Sequence, residues 1–260
     1  MSETEPRTSF CRSDDWLRFV NYLRHTNRFA LTDYWENFLC LLTETAKKRT
    51  ATVAPGSEFF RARRGITWVE EEFGGESPAA YSKVEMGSPP PHIAKEGRLN
   101  PAGISYLYLA SDIETTIAEV RPWIGLEITV AQFQTTRELR TVDTRHDEPL
   151  GFELVSGRED LYVERDPTTY NAEEKERNIW GNINSAFSEP TSPNDSHLTY
   201  LPTQYLAELL KMKGYDGVIY KSSLNPSGHN LTLFDSDGAR CGYRHVYRVH
   251  ALKYESERTR

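Results

Sequence analysis

The side chains with the means to do chemistry lie far apart along the chain. Arg61 falls in FFRARRG, Arg98 and Asn100 in EGRLNPAG, Tyr108 in the SYLYLAS that follows, Glu119 in DIETTIAEVR, and Ser222 and Ser223 in DGVIYKSSLNPSGHN. An arginine in a Pro- and Gly-containing turn just before an apolar strand can grip a phosphate through a forked pair of charged hydrogen bonds; capping the turn is the plainer reading of Arg98. Glu119 is one residue from Val120 and two from Ile117 in a helical pattern, at the border of the face expected to be buried. A carboxylate there can stabilise positive charge developing on a sugar ring, or simply pair with Arg121. A serine at a strand end can bind a ribose or close a turn.

Other chemistries lack their residues. The seven histidines show neither HExxH nor a Cys/His spacing that puts two ligands on one face, so no metal is expected. GxSxG, GxxxxGKS and GxGxxG are absent, which removes the signals of a serine hydrolase, a P-loop kinase and a dinucleotide-binding Rossmann unit. Cys11, Cys40 and Cys241 fit no disulfide framework and read as buried or inert thiols. With 31 Lys and Arg against 38 Asp and Glu, the net charge of −7 gives no global field to concentrate nucleic acid. No run approaches the ~20 apolar residues of a spanning helix, and the start lacks a secretion signal's apolar run. A soluble, cytoplasmic protein without a membrane partner is expected.

These side chains need elements to position them, and 260 residues suffice for one main domain. Trp16, Phe19, Val20 and Leu23 recur at helical spacing after Ser13 or Asp14, either of which can cap the helix. Trp35, Phe38, Leu39, Leu42 and Ala46 mark a second helix, and the basic run Lys47–Arg49 suits the negative end of its dipole. SEFFRARRG reads as a strand, and the Gly-, Ser- and Pro-rich stretch 74–91 as a long surface loop. SYLYLAS is a strand, and DIETTIAEVR is a helix with Ile113, Ile117 and Val120 on one side. GLEITVAQF and LRTVDT are further strands. Across 157–177 eleven of twenty-one residues are charged and no period survives, so a solvated excursion is favoured over a functional lid. Pro202 opens a helix through Tyr205, Leu206, Leu209, Leu210 and Met212, and Gly214 ends it. DGVIYKSS, NLTLFD and, after Asp237-Gly238, the alternating YRHVYRVHALKY are strands. The sum is an α+β chain.

Together, FFRARRG, EGRLNPAGISYLYLASDIETTIAEVRP and YLPTQYLAELLKMKGYDGVIYKSSLNPSGHNLTLFD resemble, in order, the RES family, whose name records an arginine, a glutamate and a serine. The resemblance implies an N-terminal helical extension over 1–54 and a RES domain over 55–260 with a charged insertion near 145–200. It also implies a strand-rich fold similar to ADP-ribosyltransferases, with a cleft for NAD. Family members studied as bacterial toxins break the nicotinamide–ribose bond of NAD by phosphorolysis or hydrolysis, and they are commonly neutralised by an antitoxin. The family pattern falls on Gly97, Arg98 and Asn100, on Tyr108, on Glu119 and on Ser222, with Arg61 facing the same cleft. Ser222 is favoured over Ser223 by its distance from Gly217. Leu99 stands where short members carry Trp, and Leu224 where they carry Arg.

The resemblance thus implies NAD as substrate, inorganic phosphate as a possible co-substrate, and no prosthetic group. Glu119 would stabilise an oxocarbenium-like ribose, and Arg98 and Arg61 would hold the pyrophosphate or phosphate. Tyr108 would stack on a ring, Ser222 would bind the nicotinamide ribose, and Asn100 and Ser223 would help to bind the dinucleotide. Two alternatives keep the nucleotide and change its use. In one, ADP-ribose is transferred to a protein; in the other, a silent NAD or ADP-ribose binding module presents 157–177 to a partner.

Overall fold

Apolar side chains at helical spacing open the chain with two helices, α1 (Asp15–His25) and α2 (Asp33–Ala46). The computed structural model describes residues 8–149, 153–154, 162–163, 166–189 and 198–253. A 3-10 turn at Lys47–Arg49 leads to β1 (Thr50–Val53), β2 (Glu58–Arg64), the hairpin β3 (Thr67–Glu70) and β4 (Glu76–Ala79), and the short α3 (Lys83–Met86). Then follow β5 (Leu107–Ala110), α4 (Ile113–Glu119), β6 (Glu127–Thr135), β7 (Leu139–Asp143), β8 (Glu153–Leu154) and β9 (Tyr162–Val163). The chain continues with α5 (Ala172–Ser188), α6 (Leu201–Met212), β10 (Gly217–Lys221), β11 (His229–Leu233) and β12 (Ala239–Arg248). The fold is α+β, with two leading helices and a large mixed sheet. No helix among the described residues is long and apolar enough to cross a membrane.

Eight strands form the sheet in the order β1-β7-β10-β11-β5-β2-β6-β12, and β7 with β10 is its parallel pair. Alternation sends Val218 and Tyr220 to one face and Ile219 to the other. The first face carries α1, α2, α5 and α6, whose Trp16, Phe19, Leu42, Trp180 and Leu206 share one core. Rings tie the leading helices to the body: Phe19 meets Tyr205 edge-on at 5.7 Å, and the Trp180 indole donates to Thr45 Oγ1. β1 is an edge strand of the same sheet, so the stretch 1–54 contributes to the body's hydrogen bonding. The second face is smaller, with Phe59, Leu107, Leu109 and Phe133 clustered around Met86 of α3.

Three expectations are corrected. The stretch 74–91 is no plain surface loop: it holds β4 and α3, closed by a Ser82/Glu85 capping box, and Met86 is fully buried. The charged stretch 157–177 runs into α5, which begins at Ala172 under an Asn171/Glu174 capping box and buries Ile179, Trp180, Ile183 and Phe187. Residues 157–161 and 164–165 lie outside the described residues. Asp14 does not cap α1, because its carboxylate is drawn to Arg12. The basic run after α2 meets the carbonyl end of that helix, with Arg49 donating to the Thr45 carbonyl, and it also holds α5: Arg49 grips Asp147 with two hydrogen bonds, pairs with Glu176 and stacks on Trp180. The three cysteines are free thiols, Cys40 exposed and Cys11 and Cys241 half-buried.

Because α1 and α6 share one core, Phe19→Ala should destabilise the whole chain by about 3–5 kcal/mol. Denaturant unfolding followed by tryptophan fluorescence and by far-UV dichroism should show one shifted transition. Two separated transitions would mean that the leading helices unfold independently.

Candidate functional site

A break in the sheet makes the site. β2 pairs with β6 along its whole length, from Glu58↔Gln134 to Arg64↔Ile128, but with β5 only at Phe60↔Ala110. Continuing that ladder would set Ala62 opposite Tyr108. Side chains satisfy both backbone groups instead: the Ala62 N–H donates to Thr116 Oγ1 at 2.8 Å, and Arg61 Nη1 donates to the Tyr108 carbonyl at 3.3 Å. A cavity of about 270 Å³ fills the split, walled by Arg61 and Ala62, by Tyr108 to Ala110, by Thr116, Glu119 and Val120 of α4, and by Tyr220 and Asn230. Ligand pockets typically hold ~300–1,000 Å³, and this one lies just below that range.

The face that α4 turns inward is polar. Thr115 and Thr116 are its buried residues, whereas Ile113, Ile117 and Val120, expected on the buried side, are only partly covered. The free N–H of Ala62 and the amide of Asn225 need oxygen acceptors, and the two threonines supply them. Glu119, four residues after Thr115 and three after Thr116, shares that face. Asp112 caps the start of α4 by accepting from the Thr115 N–H, and Arg64 donates to the carbonyls of Val120 and Arg121 at its end.

The loop after β10 brings the serine. Ser222 is buried, its Oγ accepts from the N–H groups of Leu224 and Asn225, and its hydroxyl donates to Glu119 Oε1 at 2.8 Å. Asn230 Nδ2 donates to the same Oε1 at 2.7 Å. Glu119 is exposed as a residue, yet both bonds hold its carboxyl at the cavity wall and neither uses Oε2. Gly228 lets the loop lie against α4, since a Cβ there would stand 1.8 Å from Thr115 Oγ1. Ser223 points elsewhere, donating to the Ser188 carbonyl at the end of α5.

Arg98 and Asn100 lie in a turn gripped from two sides. Asn100 is buried and its Nδ2 donates to the carbonyls of Lys95, Pro101 and Ile104, while its Oδ1 accepts from the Tyr108 hydroxyl at 2.7 Å. Thr203 and Gln204 of α6 donate to the carbonyls of Arg98, Gly97 and Asn100. A Cβ at Gly97 would meet Asn100 Oδ1 at 2.6 Å, so the turn closes only around glycine. Leu99 is fully buried in the helical core. Arg98 donates to the Ala186 carbonyl at 3.1 Å and lies over the Tyr200 ring. It stands behind the wall, and its charge acts on the hydroxyls of both Tyr108 and Tyr220. Burial pushes Tyr220 up to about 12 and Tyr108 further, so both stay neutral at physiological pH.

Arg61 has no carboxylate partner among the described residues. Burial, helped by Arg63, lowers its guanidinium to about 10, which leaves it charged at neutral pH. An anionic ligand would satisfy it. Among the described residues, no group of three His, Cys, Asp or Glu could hold a metal ion.

The tertiary structure therefore brings Arg61, Tyr108, Glu119 and Ser222 to one cavity, sets Arg98 behind it, uses Asn100 inside a turn and turns Ser223 away. Sequence reasoning passed over Asn230, Thr116 and Tyr220. Asn230 left a signal, because asparagine is a poor strand former and stands here at the head of the apolar run NLTLF.

The RES domain family model matches residues 58–255, more than half of the chain. No curated protein matches it. Among solved structures, "Crystal structure of the M.tuberculosis MbcT-MbcA toxin-antitoxin complex" is similar at a TM-score of 0.43 and 12% identity, over 80% of this chain and 92% of that chain.

A half-buried guanidinium with no counter-ion among the described residues opposes folding until a ligand arrives. Its folded value lies below its unfolded value, so the charged form is disfavoured in the native state at all pH values below about 10. Arg61→Met removes the buried charge but also frees the Tyr108 carbonyl, so the two effects of about 1 kcal/mol each should offset and leave the Tm of the free protein within about 4 °C of the wild type. The same substitution should abolish the thermal shift produced by pyrophosphate. Differential scanning calorimetry with and without pyrophosphate checks both.

Proposed function

As the chain belongs to the RES domain family, we propose that it breaks the nicotinamide–ribose bond of NAD, passing the ribose to phosphate or to water. The observation that supports this most is the Glu119 carboxyl, tied down through Oε1 with Oε2 unused among the described residues, on the wall of a cavity shared with Arg61, which has no carboxylate partner among them. In the reaction the C1′–N bond breaks and its electron pair returns to the nicotinamide ring, neutralising the pyridinium. Positive charge on the ribose peaks in the transition state, where a fixed carboxylate stabilises it more than in the ground state. An oxygen of phosphate or water then bonds to C1′, and where water is the acceptor its extra proton passes to solvent. Arg61 binds the pyrophosphate or the incoming phosphate, and the neutral Tyr108 and Tyr220 wall the leaving ring without competing for charge.

In the cell this activity would drain NAD, and the resemblance to the family's toxins makes a toxin or defence effector, held by an antitoxin, the role we propose. NAD is its substrate, inorganic phosphate its possible co-substrate, and no resident cofactor takes part.

Purified chain incubated with NAD should release nicotinamide, and comparison with and without phosphate identifies the acceptor. ADP-ribose 1″-phosphate formed only with phosphate assigns phosphorolysis, and free ADP-ribose assigns hydrolysis. Glu119→Gln should lose at least about 100-fold in kcat while keeping its fold by circular dichroism. Intact NAD in both conditions would overturn the proposal. Label from NAD moving into a protein would replace it with protein ADP-ribosylation.

A further inference from the structure

The carboxyl of Glu119 sits on a seven-residue helix at the edge of a split sheet, where a glutamate with three rotatable bonds has wide freedom. Two donors remove that freedom, and they are not equivalent. Ser222 reaches Glu119 from a loop. Asn230 reaches it from β11, buried in the row Tyr220–Asn230–Ala110–Phe60, the row that bridges β2 and β5. Its backbone is therefore fixed by neighbours on both sides at the point where the sheet is still whole. A carboxylate only accepts hydrogen bonds, so the side chain must present its amide Nδ2, and an amide donates at every pH.

The geometry points to Asn230 as the positioning residue of the site: its amide holds Oε1 of Glu119 so that Oε2 faces the cavity, and fixes the direction from which a cationic sugar is stabilised. The inference rests on the proposed cleavage of NAD for its catalytic consequence, while the contact itself can be tested without substrate. Asn230 is buried, makes no other side-chain hydrogen bond among the described residues, and stands in a strand where a β-branched residue would pack better. Its stability cost is explained by what it does for Glu119.

Two measurements separate this from a structural role. In a ¹⁵N spectrum of the full chain, one side-chain amide proton of Asn230 should lie downfield and exchange slowly, as expected of a charge-assisted hydrogen bond. Glu119→Gln should return it towards the position of an ordinary amide. An unchanged signal would overturn the inference, whatever the chain does to NAD.

In turnover, Asn230→Ala should lower kcat by about 100-fold, the scale of a misplaced reacting group, with KM for NAD little changed. Asn230→Asp adds a pH signature. At low pH the introduced acid keeps a proton, donates it to Glu119 and restores activity, and as pH rises two carboxylates meet and activity falls. Besides Glu119, the ionisable groups on the cavity wall do not titrate between about pH 6 and pH 9, since Arg61 is lowered only to about 10 and Tyr220 and Tyr108 are raised. Arg98 stands behind the wall, and His229, next along β11, packs edge-on to Phe59 with its imidazole pKa lowered by burial. Wild-type kcat for Asn230→Ala, or an Asn230→Asp profile that parallels the wild type, would overturn the inference. If Asn230→Ala does not fold, the aspartate variant and the amide signal still decide it. If the wild type leaves NAD intact, the proposed function fails and the amide signal alone decides the contact.

Discussion

One residue pair, Phe60 with Ala110, holds β2 to β5, and the site exists because the ladder stops there. A sheet interior cannot leave backbone groups unpaired without a cost of about 1–3 kcal/mol each. The molecule meets that constraint with side chains, Thr116 accepting from Ala62 and Arg61 donating to Tyr108. Both substitutes also line the cavity, so the chemistry that repairs the sheet builds the wall of the site.

The same economy governs α4. A short helix lying over a gap in a sheet has little apolar surface to bury, so its inward face carries threonines and a glutamate. It is held at its start by Asp112, along its middle by Thr116 and at its end by Arg64. Thr115 receives the Asn225 amide from the serine loop, and Gly228 lets that loop approach. Glu119 is thus the meeting point of β10, β11 and α4, and its position depends on all three.

Rigidity comes from behind. The helical core fills one face of the sheet and reaches the turn that carries Arg98, whose carbonyls Thr203 and Gln204 of α6 hold. Leu99 is buried in that core, so the residue beside Arg98 anchors the turn and does not touch a ligand. In the same core Arg49 fastens α5, through Asp147, Glu176 and the Trp180 ring.

Periodicity in the sequence marked α1, α2 and α6 and most strands of the large sheet, because each buries one apolar face against a common core, and burial is what apolar spacing encodes. The α5 helix escaped because its first turns are charged, although Asn171-x-x-Glu174 and the spacing of Ile179, Trp180, Ile183 and Phe187 were present. The α4 helix was found with the wrong inward face, since a polar face filling a gap leaves no hydrophobic pattern. Residue types and family likeness marked Arg61, Arg98, Tyr108, Glu119 and the Ser222-Ser223 pair as candidates. Only the tertiary structure bonded Ser222 to Glu119 and Ser223 to Ser188, put Arg98 behind the wall and brought Asn230 to Glu119, 111 residues away along the chain. Apolar burial is an average property that a local stretch of sequence carries by itself. A hydrogen bond between distant side chains is a coincidence of positions, and strand register and the break in one ladder set those positions.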